Sequence, residues 1–225
     1  MSNEETSVQR TQHAFLVAWG RFAEEAGLIQ KIQAVALKQK TRTHCPQSKV
    51  LEFVVGTLAG IRHWQELSLS AHPLDRDGAV TEAWGQAGWA DYSGVSRTLS
   101  ALSWAEVQAI VAVLEEVSQP YLQAELQRLC STGERLRIDG DLTGLPVSNT
   151  SRTYPNAAYG HMNDGIRLGY QAGVVSLISP AYGRMWLSAT HHPGDTVSST
   201  QAEALVLEAE RCIGQRPKRR TELRS

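Results

Sequence analysis

The spacing of apolar residues changes once along this chain, near Gly133, and that change limits the folds open to it. Before it, apolar side chains recur every three or four residues, as Phe15, Trp19 and Phe22 do within one helical segment. After it, short runs rich in β-branched and aromatic residues are bounded by glycine and proline, which is typical of strands. The sequence therefore predicts an α+β fold, with a helical domain over 1–130 and a strand-containing domain over 131–225.

The two patterns predict individual elements. Helices are expected over 13–25, 28–37, 48–61, 78–87, 96–102 and 103–129. The last of these should break around Pro120, because proline cannot donate to the helical ladder, and Ser118 could cap the helical segment after the break. In the second domain we expect three strands and then a helix, over 135–139, 169–180, 182–194 and 198–214.

Composition excludes some classes of protein. With 225 residues, 42% of them hydrophobic, the chain can bury one sizeable core or two modest ones. A formal net charge of −1 argues against a strongly basic DNA-coating protein but allows a local basic surface. No apolar run reaches the roughly 18 residues that a membrane-spanning helix needs. The polar N-terminus lacks the apolar centre of a secretory signal, so a cytoplasmic location is expected.

Two aspartates interrupt an otherwise apolar stretch, LRIDGDLTGLP, at Asp139 and Asp141. Carboxylates fixed where a buried strand ends can converge with others to bind Mg²⁺ or Mn²⁺, the ions used in phosphodiester chemistry. Residues two apart on a strand point to the same side, so these two could act together. The alternative is ordinary turn chemistry, because Asp-Gly-Asp followed by Thr-Gly also suits a loop in an unrelated α+β protein.

The wider sequence resembles bacterial insertion-sequence transposases of the DDE class, which have a ribonuclease-H-like core. The resemblance lies in RIDGDLTGLPVS, beginning at Arg137, and in the later stretch 169–199, which contains the element HPGD at 192–195. In that family an aspartate followed by a variable residue and threonine ends the first strand. The match implies Asp141 as the first catalytic and metal-binding aspartate, with Asp139 as its neighbour or alternative.

The resemblance implies a function and partners. It implies cleavage at the ends of a mobile element and strand transfer into target DNA, with Mg²⁺ or Mn²⁺ as cofactor. Terminal inverted repeats and target DNA would be the partners, a homodimer is possible, and the location would be the bacterial cytoplasm at the nucleoid.

One departure from the family affects the expected activity. The family needs a second aspartate, after a strand that follows the 198–214 helix, and a distant glutamate, whereas this sequence ends at RPKRRTELRS. We therefore expect an incomplete ribonuclease-H-like core of about three strands and a helix, with weak or no metal binding and no activity of its own. The alternative is a non-catalytic, DNA-binding regulatory fragment.

The helical domain is expected to bind DNA or to dimerise. Segment 92–103 could be a recognition helix that Ser93 caps and that presents Ser96 and Arg97 to a DNA groove. A capped surface helix that packs its apolar side inward explains the same pattern. Phosphate contacts are also possible at two basic clusters, whose members are Lys38, Lys40 and Arg42, and Arg216, Lys218, Arg219 and Arg220.

Overall fold

A computed structural model describes residues 10–39, 43–149, 154–162 and 165–214, together with the backbone of 221–224. The expected α+β class is confirmed, since helices come first and a sheet comes after them. The chain divides into two compact units, Met1–Ser118 and Gln119–Ser225. The division falls inside the long seventh helix, whereas the sequence suggested a boundary at its end, near residue 130.

The first unit is helical and has its own core. Its fully buried side chains include Ile32, Leu51, Leu67, Val80 and Trp84. Its elements are α1 (Ala14–Glu25), α2 (Leu28–Ala34), α3 (Pro46–Leu58), α4 (Glu66–Leu69), a 3₁₀ turn (Leu74–Arg76), α5 (Gly78–Ala83), α6 (Tyr92–Ser100) and the first part of α7 (Trp104–Ser131).

Aspartate side chains begin two of these helices. The carboxylates of Asp77 and Asp91 accept hydrogen bonds from the backbone N–H groups of Val80 and Gly94, at the N-termini of α5 and α6. Asp91 therefore caps α6, not Ser93 as the sequence suggested, and the Ser93 hydroxyl donates to the Asp91 carboxylate. A carboxylate is the stronger acceptor for the exposed N–H groups of a first helical turn.

Helix α7 does not break at Pro120, which corrects the sequence-based expectation. The Ser118 hydroxyl donates to the Glu115 carbonyl within the helix and caps nothing. Because proline has no N–H group, Pro120 leaves the Glu116 carbonyl without its helical partner. Both residues are exposed, and water can therefore hydrate this carbonyl. Packing holds both ends of the helix, since Ile110 and Val113 pack on the first core and Leu122, Leu126 and Leu129 belong to the second.

The second unit has a sheet of five strands among the described residues, where the sequence suggested about three. The strands are β1 (Leu136–Pro146), β2 (Ala158–Met162), β3 (Gly165–Ser179), β4 (Gly183–Pro193) and β5 (Thr221–Arg224), and α8 (Ser198–Ile213) lies between the last two. The unpredicted strands, β2 and β5, are short and mostly lack the alternation of apolar and polar residues that indicates a strand.

The long strand β3 organises the sheet. Residues 169–178 of β3 pair antiparallel with β1, and residues 170–179 pair antiparallel with β4. Because these ranges are almost the same, β1 and β4 lie on opposite edges of β3. Its first residues pair with β2 in a hairpin. Beyond β1, β5 runs parallel to β1, with Leu136 beside Thr221 and Asp139 beside Arg224.

Helices cover one face of this sheet. Leu205 and Ala209 of α8 and Leu126 and Leu129 of α7 form a buried cluster with Ile138, Val175 and Leu177 of the strands. On the same face, the Ser179 hydroxyl donates to the buried Glu125 carboxylate of α7. Side chains that alternate with these strand residues point to the other face of the sheet.

No single helix of the described residues has both the length and the apolar content to cross a membrane. Two consecutive helices, α6 and α7, meet those two criteria only when taken together, and they are bent by 108° relative to each other.

Candidate functional site

Asp139 and Asp141 lie in the middle of β1, not at its end. The strand was expected to stop at residue 139, but its pairing with β3 continues through Gly140 and Asp141 as far as Pro146. Asp139 lies opposite Ser176, and Asp141 lies opposite Val174. The Asp-Gly-Asp sequence is therefore part of a paired strand and not a turn.

Both aspartates point away from the helix-covered face. Gly140, between them, faces α8, where a Cβ atom on it would lie 3.8 Å from the Leu205 side chain. Because successive side chains on a strand alternate, the two aspartates share the opposite face, as their spacing predicted. The burial of β1 decreases along this stretch, since Leu136 and Ile138 are buried and Asp141 is exposed.

The two carboxylates have different neighbours. The Arg184 guanidinium of β4 donates to Asp139 Oδ2 over 2.6 Å, in an ion pair with both side chains partly exposed. Asp141 Oδ1 accepts a hydrogen bond of 2.8 Å from the N–H of the next residue, Leu142. Asp139 is therefore neutralised by a cation, whereas the exposed Asp141 accepts from the N–H of the adjacent Leu142.

A cavity of about 370 Å³ opens beside Asp141. Its lining also includes His161 of β2, the buried Gln171 of β3 and the residues that lead into α8 at Ser198. Asp141 is thus one of the residues that line this cavity.

The described residues do not form a two-metal centre by themselves. No group of three or more His, Cys, Asp or Glu residues among them lies close enough together to hold an ion. Asp139 is paired with Arg184, which would repel a cation. Asp141 alone keeps the position and exposure of a ligand, and one carboxylate falls short of the six or so oxygen atoms that Mg²⁺ requires.

The HPGD element packs tightly beside the cavity. A Cβ atom on Gly194 would overlap the Ala158 carbonyl, and one on Gly160 would overlap the Gly194 carbonyl. The buried amide of Gln171 donates to the carbonyls of Gly194 and His161 over 3.3 and 2.9 Å. The glycines thus let the backbone after β4 lie directly against β2, which fixes the segment leading into α8.

A second candidate site lies in the helical unit, around α6. Gly94, Val95 and Thr98 of this helix are buried, whereas Ser96 and Arg97 are exposed. These two line a cavity of about 530 Å³ together with Ser93 and Tyr92 of α6 and with the segment that precedes α4. That segment contributes Arg62, His63, Trp64 and Gln65.

Sequence reasoning identified Ser96 and Arg97 but missed Arg62 and His63. The dipeptide Arg62-His63 was a visible signal, since it places basic residues beside Trp64 just after a helix. No sequence pattern indicates that this segment and α6 line the same cavity, because that depends on the packing of α6 on α3.

The basic cluster near residue 40 is only partly described. Lys38 is exposed, and its backbone N–H donates to the Glu106 carboxylate. Its neighbour Gln39 donates to the Thr98 carbonyl of α6 over 3.0 Å, which holds this segment beside α6. Two members of the cluster, Lys40 and Arg42, and the basic tail Arg216, Lys218, Arg219 and Arg220 lie outside the described residues.

Comparison of the chain with models of known protein families, with curated proteins and with solved structures finds no match.

Proposed function

We propose that this chain is the N-terminal part of a DDE-class insertion-sequence transposase. In this proposal the helical unit binds DNA, and the sheet unit is the first part of a ribonuclease-H-like catalytic domain. One observation carries the proposal: the aspartate of the Asp-Leu-Thr motif, Asp141, is exposed on β1, a strand that pairs with β3 on one edge and with the parallel β5 on the other.

The order and direction of the strands support this proposal. Three antiparallel strands, β1, β3 and β4, are followed by α8 and then by β5, which returns parallel to β1. We propose that this arrangement, in which the short β2 intervenes between β1 and β3, is the start of a ribonuclease-H-like fold.

The proposed catalytic site is incomplete within these 225 residues. Arg184 already neutralises Asp139, and the four residues of β5, Thr-Glu-Leu-Arg, include no aspartate. Because β5 runs parallel to β1 and Arg224 pairs with Asp139, a segment that continued β5 would pass beside Asp141. We propose that the second carboxylate belongs there, and that these 225 residues alone neither cleave nor join DNA.

The proposed partners depend on the same assignment. The helical unit would bind the terminal inverted repeats of the element, as a monomer or a homodimer, and target DNA would bind the completed site. Mg²⁺ or Mn²⁺ would bind the completed set of carboxylates, and we expect only weak binding to this chain. The location would be the bacterial cytoplasm, at the nucleoid.

The experiment is a combined binding and nicking assay with the purified chain. The DNA is a duplex carrying the sequences that flank its gene, and the control is a shuffled duplex of equal composition. We expect preferential binding to the flanking sequences and no nicks in either Mg²⁺ or Mn²⁺. Equal binding to both duplexes would contradict the transposase assignment. Metal-dependent strand transfer that Asp141→Ala abolishes would contradict the proposed inactivity.

A second candidate function is regulatory. The ion pair between Asp139 and Arg184 favours a regulatory function, because the Arg184 cation opposes metal binding at Asp139. The cavity at α6, by contrast, does not involve that ion pair. Such a chain would occupy the repeats or form inactive mixed oligomers. Added to a reaction of a complete transposase that acts on the same repeats, it should inhibit strand transfer in proportion to its concentration. An unchanged rate would contradict this role.

A further inference from the structure

We infer that the cavity between segment 62–65 and α6 is a binding site for the phosphodiester backbone of DNA. We call it the arginine cleft, and its lining consists of Arg62, His63, Trp64, Gln65, Tyr92, Ser93, Ser96 and Arg97. This inference rests on the proposed function and assigns DNA contact to particular residues of the helical unit.

Two arginines from separate segments line the arginine cleft. Arg62 comes from the connection between α3 and α4, and Arg97 comes from α6, and both side chains are exposed. Neither forms an ion pair within 4.0 Å with any acidic residue whose placement the structure describes. Guanidinium groups present several N–H donors in a fixed fork that matches phosphate oxygens, so two of them favour an anionic ligand.

The lining residues carry no negative charge, and the nearest acids are already engaged. The Asp91 carboxylate accepts hydrogen bonds from the Ser93 hydroxyl and the Gly94 N–H at the start of α6, and its charge also interacts with Arg97. The Glu66 carboxylate accepts a hydrogen bond from the His63 backbone N–H. These acids therefore help to place the lining residues, and Arg62 and Arg97 supply the positive charge of the lining.

The walls of the arginine cleft are held in place by packing. The ring of Trp64 lies against Phe53 of α3, with 5.0 Å between the ring centroids, and the next helix is anchored by the fully buried Leu67. On the opposite wall, the Tyr92 backbone N–H donates to the Ser68 hydroxyl. A preformed site loses little conformational entropy when a ligand binds.

The combination of groups fits a nucleic-acid backbone better than an acidic peptide. Phosphate oxygens would accept from the guanidinium groups, and the hydroxyls of Ser93 and Ser96 supply neutral donors. The partly buried rings of Trp64 and Tyr92 offer apolar surface to the sugars and bases beside the phosphate. A peptide of carboxylates would use the charges but not this surface.

The test measures binding of the full chain to a fluorescein-labelled duplex of about 20 base pairs by anisotropy, as a function of salt. We expect Arg62→Ala and Arg97→Ala each to weaken binding about tenfold and to reduce the log–log salt slope by about 0.9. The matched control is Arg21→Ala, which removes the same charge from an exposed position of α1. It should change neither quantity measurably, and thermal melting checks that each variant is folded.

The outcomes separate this inference from the proposed function. If the chain binds the duplex and both cleft variants behave like Arg21→Ala, the arginine cleft is not the DNA site, although the transposase assignment survives. If the chain binds no duplex at all, both proposals fail. Oligoglutamate of matched charge is the competitor that represents an acidic peptide. If oligoglutamate displaces the labelled duplex as effectively as unlabelled DNA does, the assignment of the arginine cleft to phosphodiesters is overturned.

Discussion

At the scale of single residues, the helical core contains a carboxyl group that is almost completely buried. Glu52 of α3 is 2% exposed, and its Oε2 accepts a hydrogen bond of 2.9 Å from the Ala90 N–H, whereas its Oε1 has no hydrogen-bond partner in the described part of the chain. Burial, aided by the negative charge of Asp75, raises the pKa of this carboxyl to about 8. At neutral pH Glu52 is therefore protonated in the folded protein.

This protonation makes stability depend on pH. The unfolded chain releases the proton near pH 4.5 and the folded protein near pH 8, so the free energy of unfolding falls as pH rises between these values. The slope approaches roughly 1 kcal/mol per pH unit. Glu52→Gln, which keeps an acceptor for the Ala90 N–H, should flatten this slope in urea unfolding curves recorded from pH 5 to 8.

The matched control for this prediction is Glu24→Gln, at an exposed position of α1. It should leave the slope of the original protein unchanged. A Glu52→Gln variant with the same slope as the original protein would show that Glu52 is not the titrating group.

At the scale of elements, the close packing of HPGD against β2 depends on two glycines. A side chain at Gly194 would overlap the Ala158 carbonyl and would crowd the Met162 side chain. Backbone cannot move aside as the end of a flexible side chain can, so a methyl group here would displace the segment that leads into α8.

Gly194→Ala should therefore lower the free energy of unfolding of the sheet unit by about 2 kcal/mol, measured by urea denaturation. The matched control is Gly165→Ala at the start of β3, where an added Cβ atom meets no atom within 4 Å. Equal stability of the two variants would contradict the close approach seen between β2 and HPGD.

The elements that the sequence predicts correctly are those with a strong local pattern. The periodicity of 13–25 and 198–214 places α1 and α8 within a residue or two, and the apolar run after residue 169 identifies most of β3. The strand β5 escapes sequence reasoning because its pairing with a partner distant in the chain, β1, makes it a strand.

The features of the candidate site likewise divide into those that a local sequence pattern predicts and those that depend on distant packing. That Asp139 and Asp141 share one face follows from the strand period, and the structure agrees. That Arg184 neutralises only Asp139 requires β4 to lie across β3 from β1, which no local pattern contains. Likewise, Arg62 and Arg97 line the same cavity only because the helices pack together.

At the scale of the whole molecule, each unit has one buried carboxyl whose pKa is shifted, and the two shifts have opposite directions. In the sheet unit, Glu125 is 2% exposed and accepts hydrogen bonds from Arg128 and Ser179. The hydrogen bonds from Arg128 lower the pKa of the Glu125 carboxyl most, and the bond from Ser179 lowers it further, to about 2. Its stabilising contribution is present above pH 4.5 and is lost as pH falls toward 2.

We therefore expect two unfolding transitions, with the midpoint of the helical unit falling relative to that of the sheet unit as pH rises. Raising the pH from 5 to 8 should destabilise the helical unit through Glu52, and lowering it from 5 to 2 should destabilise the sheet unit through Glu125. Calorimetry of the full chain at these three pH values tests this. Glu125→Gln should remove most of the acid sensitivity of the sheet transition, and its persistence would contradict the role of Glu125.

The parallel pairing of β5 with β1 also sets an order of events during folding. The antiparallel partners β3 and β4 are joined by a tight turn, whereas β1 meets β5 only after β2, β3, β4 and α8 have intervened. Closing so large a loop is slow, because its entropic cost precedes any gain from pairing. We therefore expect the edge of β1 beside Asp139 to pair with β5 late in folding, after β3 and β4 have paired.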